Sequence, residues 1–115
     1  MDQRLETLKA TLRTLSAPAR AQADYLDGLL GPTAADYGND ELALELDDAF
    51  SSHEEMLKAG LLTDRQATAI RLLNGLLASG SSKAESEFWK REALSTDPRW
   101  EQVRSAARAA LEAFE

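Results

Sequence analysis

The 115-residue chain has no cysteine, one histidine and a single valine. Without cysteine there is no disulfide framework, no thiol nucleophile and no thiolate metal site, a composition that suits a reducing compartment. The scarcity of valine, with alanine, leucine, glutamate and arginine dominant, argues against strands and for helices. No window sustains the apolar–polar alternation of a half-buried strand. Long apolar runs are missing too. The tightest clusters, Leu72-Leu73 and Leu76-Leu77, fall far short of the ~20 residues that span a bilayer. Charged residues from Asp2 to Arg13 interrupt the leucines of the first segment, so it lacks the apolar core of a secretory signal. A cytoplasmic location is expected.

What is present is a hydrophobic content of 43% beside 29% charged residues. That balance supports a packed core under a solvated surface rather than disorder. The length fits one domain. The expected fold is all-α, a compact bundle of five to six short helices formed by residues 1–115 as a single helical domain. The longest loop, 31–39, is where the bundle would divide if it has two halves.

Helical spacing orders most of the chain. Leu5, Leu8, Leu12 and Leu15 recur at steps of three and four, one face of a first helix. Ser16 is a candidate N-cap for a second helix with Pro18 in its first turn. Ala19, Ala23, Leu26 and Leu30 would face inward, and Gly31-Pro32 would stop the helix. Asn39 or Asp40 caps a third helix, expected to run through Leu42, Leu46, Ala49, Phe50, Met56 and Leu57 to Gly60. Thr63-Asp64-Arg65-Gln66 matches a capping box for the fourth, which buries residues among Ile70, Leu73, Leu76 and Leu77. Ser82-x-x-Glu85 repeats the signature before a shorter helix with Phe88, Trp89 and Leu94. Asp97-Pro98 opens a last one carrying Trp100, Val103, Ala107, Leu111 and Phe114.

Charge is the least even property. The formal net charge is −7, yet from Ala21 to Leu57 there are ten acidic residues and no lysine or arginine. The remainder holds the other ten acids and all thirteen basic residues, about +3. On a continuous third helix, Glu41, Glu45, Asp48 and Glu55 share one face, with Asp40, Asp47 and Glu54 on an adjacent strip. Like charges at this spacing cost a few tenths of a kcal/mol per pair. Glu54 and Glu55 would also oppose the dipole at that helix's carboxyl end. Local helix stability does not select such an arrangement. Three readings compete: a solubilising face, a docking surface for a basic partner, and internal pairing with the basic remainder. Direct nucleic-acid binding through this face is excluded by repulsion from phosphate.

Catalytic and metal chemistry find little support. His53 is flanked at four residues either side by Ala49 and Leu57 and reads as a histidine bordering the core. The Glu-x-x-His spacing of di-iron bundles is absent, because Phe50 stands where the glutamate would be. Glu41, Glu45 and Asp48 match no calcium-loop pattern. Glu45 with Asp48 lacks a supporting nucleophile or glycine-rich phosphate loop. No catalytic residue, metal or cofactor is expected. Phe88 and Trp89 are adjacent, so they cannot both point straight inward on a helix. Packing of both under a neighbouring element is the favoured expectation, over one exposed as an interface anchor.

The runs Asp-Glu-Leu-Ala-Leu-Glu-Leu-Asp-Asp-Ala-Phe (40–50), Gly-Leu-Leu-Thr (60–63) and Thr-Asp-Pro-Arg-Trp-Glu-Gln-Val-Arg (96–104) resemble a group of small bacterial helical proteins. In size and charge the chain is also similar to the acidic immunity proteins that neutralise toxins in interbacterial competition. That resemblance implies a non-enzymatic binding or inhibitor protein and transfers no functional residue. The charge pattern itself nominates Glu41, Glu45, Asp48 and Glu55 as partner-binding residues. Tyr37 joins them as a loop anchor that pairs apolar area with a hydroxyl. The expected partner is a protein with a basic surface, not nucleic acid or membrane. The alternative is a structural or adaptor bundle that self-associates into a homo-oligomer through the Phe88-Trp89 region.

Overall fold

The computed structural model describes residues 3–31, 38–79 and 87–114. Among them lie seven helices and no strand: α1 (Gln3–Ser16), α2 (Ala19–Leu30), α3 (Asp40–Phe50), α4 (His53–Lys58), α5 (Asp64–Ser79), α6 (Ala93–Thr96) and α7 (Pro98–Glu112). The all-α bundle expected from composition is therefore what forms. Helix α1 lies between α3 and α7, α5 packs on α7, and α2 meets the short α6. One continuous core joins them, with Leu8, Leu12, Leu26, Leu46, Ile70, Leu73 and Val103 fully buried. Each such aliphatic side chain contributes roughly 1.5–3 kcal/mol relative to exposure.

The helix count exceeds five to six because the expected third helix is two. Ser51 and Ser52 interrupt it. The Ser51 hydroxyl donates to the Asp48 carbonyl at 2.7 Å, and His53 Nδ1 donates to the Phe50 carbonyl at 3.0 Å. Short polar side chains here compete for carbonyls that helix amides would otherwise take. The chain restarts with the Met56 amide donating to Ser52 O. Ser16 also departs from expectation. It ends α1, its hydroxyl donating to Arg13 O, and Pro18 occupies the cap position of α2.

Other boundaries follow the sequence. The Thr63 amide donates to Gln66 Oε1 at 2.8 Å while the Gln66 amide donates to Thr63 Oγ1 at 3.1 Å, a reciprocal capping box. Asp97 accepts from the Arg99 amide at 2.9 Å, with Pro98 in the first turn. Gly31 and Gly60 close α2 and the 53–59 segment at φ of 77°, backbone that L side chains resist. Phe88 stands in a 3₁₀ turn over 87–89 rather than an α-helix. It is fully buried and stacked on Trp100 at 4.5 Å, with half-buried Trp89 edge-on to both. The Ser82-x-x-Glu85 capping signature lies outside the described residues.

Three buried polar side chains that hydrophobic periodicity does not announce, Gln22, Arg104 and Asn39, tie the elements together. Gln22 Nε2 donates to Thr14 O and Leu15 O, satisfying last-turn carbonyls of α1. Its Oε1 accepts from Arg104 Nη1 at 3.0 Å, and the same nitrogen donates to Leu94 O. Asn39 takes the N-cap position of α3 without a side-chain cap bond: its backbone is already helical, and its side-chain amide donates instead to the Phe88 and Lys90 carbonyls. That fixes the entry to α3 against the aromatic cluster.

Candidate partner-binding surface

Eleven residues, Asp-Glu-Leu-Ala-Leu-Glu-Leu-Asp-Asp-Ala-Phe, build α3. Leu42, Leu46 and Phe50 are buried, which turns the opposite side of the helix outward. Asp40, Asp47 and Asp48 are exposed there, and Glu41 and Glu45 are half-buried at its margin. None of these five forms an ion pair among the described residues. The edges of the acidic half differ. Asp27 is held by Arg91, and Glu55 by Arg4 at 3.2 Å. Among the described residues, internal pairing therefore takes up the charge of Asp27 and Glu55 and none of that on α3.

The split at Ser51-Ser52 corrects the geometry expected of Glu55. It lies on α4, not on the helix that carries Glu41, Glu45 and Asp48, so the seven-residue spacing does not align it with them. It also reverses the dipole argument. Glu54 and Glu55 stand in the first turn of α4, where negative charge is favoured, while Asp47 and Asp48 close α3 with no basic residue in the last turn. The unfavourable acids are those at the end of α3 itself. Tyr37 lies outside the described residues.

Tyr25 is the aromatic residue that sequence reasoning missed. It stands on α2 and donates its phenolic hydrogen to Glu45 Oε1. This hydrogen bond chiefly, then burial and the charges of Glu45 and Glu41, pushes the Tyr25 phenol up to about 12. Tyr25 as a whole remains 39% exposed. It forms one wall of an open groove of about 360 Å³ between α1 and α3, with Thr7, Thr11 and Thr14 on one side and Glu45 and Asp48 on the other. The hydroxyls of Thr11 and Thr14 donate to Thr7 O and Ala10 O within α1. With the Tyr25 hydrogen also committed, the groove offers oxygen lone pairs and carboxylates. Its chemistry suits an ammonium or guanidinium side chain, which brings only donors.

The other candidate groups are occupied in packing. His53 stacks on Phe50 with ring centroids 4.3 Å apart, so its ring borders the core as its neighbours suggested. Phe88 and Trp89 are committed to Trp100 and do not form an exposed aromatic pair. No cluster of three or more histidine, cysteine or acidic side chains able to hold a metal occurs among the described residues. No helix among them is long and apolar enough to cross a membrane.

No protein-family model, curated protein or solved structure matches the chain.

Proposed function

We propose that the chain is a cytoplasmic, non-enzymatic protein-binding module of the immunity or inhibitor type, which docks a basic protein through the outward face of α3 and the adjoining groove. One observation carries this reading: Asp40, Glu41, Glu45, Asp47 and Asp48 lack an internal counter-ion among the described residues, whereas Asp27 and Glu55 at the margins are paired. An uncompensated row costs helix stability through like-charge spacing and, at Asp47 and Asp48, through the dipole. A basic partner offsets both, accelerates its own encounter by long-range attraction, and is discriminated from acidic competitors. The cysteine-free composition fits the reducing compartment assigned here.

The test uses the immobilised protein to retain partners from a lysate of its source cells, with the retained protein then purified and its affinity measured against sodium chloride concentration. Charge-led docking gives an affinity that falls steeply from low to physiological salt. A partner whose affinity is flat across that range contradicts the reading.

A further inference from the structure

Leu44 stands apart among the leucines of α3. At 3.6 residues per turn it lies about 200° round the helix from both Leu42 and Leu46, which are buried. It therefore crowns the outward face, 55% exposed. Its helical neighbours one turn before and one turn after, at i−4, i−3, i+3 and i+4, are Asp40, Glu41, Asp47 and Asp48. All four are acidic, and none is ion-paired among the described residues. Asp40 and Asp47 line one flank of Leu44, Glu41 and Asp48 the other. The second flank continues into the groove beside Glu45 and Tyr25.

A single exposed leucine is ordinary. A leucine at the apex, with all four of its i±3 and i±4 neighbours carboxylates, is a patterned patch: an apolar centre inside a ring of one charge. Well-desolvated binding centres have that form, with polar groups round the edge. The ring is about two turns long, roughly 11 Å. A second helix laid along α3 repeats the same i±3 and i±4 spacing and so can place four basic side chains over four carboxylates around one apolar residue. We infer that the partner segment is a basic amphipathic helix that packs an apolar residue on Leu44 and brackets it with lysine or arginine at i±3 and i±4. This rests on the docking function proposed above and adds the element, its register and its apolar anchor.

The probe is a synthetic helical peptide with one leucine flanked at i±3 and i±4 by arginine. A second peptide has the same composition with the arginines spread round the helix. Affinities are measured by fluorescence anisotropy at low salt for the native chain, Leu44→Ala and Asp47→Lys/Asp48→Lys, with circular dichroism to verify folding. Alanine keeps helix propensity, so the first variant removes apolar area alone. The expected result is binding of the bracketed peptide about tenfold tighter than the scattered one, and about a tenfold loss on Leu44→Ala. Replacing the peptide leucine by alanine gives a similar loss, and combining the two removes little more. Binding abolished by the lysine variant yet unchanged in Leu44→Ala, with both peptides equal, overturns the anchored helix and leaves charge-led docking standing. Binding insensitive to both variants, or absent, overturns both.

Discussion

Replacing Arg104 by methionine keeps a long apolar stem but removes the guanidinium that joins three helices. The Arg104 side chain is 8% exposed and donates at 3.0 Å to Gln22 Oε1 and to Leu94 O. Leu94 depends on it for a local reason: the amide that would reach its carbonyl four residues on belongs to Pro98, which has no N–H. Methionine strands both oxygens, each at about 1–3 kcal/mol. The ion pair to Glu101 adds little, because that carboxylate is 61% exposed. The expected loss is about 3 kcal/mol in urea unfolding, or a Tm lowered by about 10 °C in a chain of this size. Gln22→Leu strands the α1 carbonyls and the arginine by the same route. The double variant then costs less than the two single losses together, by about 1–2 kcal/mol. A loss below about 0.5 kcal/mol for Arg104→Met, or strict additivity with Gln22→Leu, refutes the coupling.

Two further predictions concern titrating groups. In a Tyr37→Phe background the remaining phenol, Tyr25, titrates at about 12 by absorbance while circular dichroism shows the fold intact. Glu45→Gln brings it back toward the ordinary 10.0; a midpoint near that value in both proteins contradicts the Tyr25–Glu45 bond. Because the folded value is raised, the bond's contribution is fully present below pH 10 and is lost as pH rises through the folded value. Asp97 runs the other way. The Arg99 hydrogen bond holds its carboxyl below the usual range, so its contribution is present above the ordinary 3.8 and lost as pH falls through the folded value. Asp97→Ala then costs about 1 kcal/mol at neutral pH and progressively less in acid; an equal cost at both assigns the effect to something other than the charged cap.

Much of this molecule was legible in the sequence. Apolar spacing located α1, α5 and α7, and the threonine–glutamine and aspartate–proline signatures fixed two helix starts at the level of individual hydrogen bonds. What periodicity could not carry was the break after Phe50. The stripe from Leu42 to Leu57 stays apolar across it, because the core continues while the backbone does not. The signal was the Ser51-Ser52-His53 run, three side chains able to take a carbonyl or yield a helix end. Missing it displaced Glu55 and reversed the dipole at Glu54. Gln22, Asn39 and Arg104 were invisible for another reason: their roles depend on partners 7 to 82 residues away. The acidic face was visible as composition, yet its apex leucine and the tyrosine on α2 emerged only once α3 had an inside.

The acidic face of α3 either serves binding or merely keeps the protein soluble, and Asp47→Lys/Asp48→Lys separates these by one paired measurement of partner affinity and thermal stability. The substitutions place positive charge at the carboxyl end of α3, where the dipole favours it by about 0.3–1 kcal/mol per residue at low ionic strength. Stability should therefore hold or rise while affinity for the purified partner collapses. Unchanged affinity in a variant that is equally or more stable would contradict the assignment of this face as the docking surface.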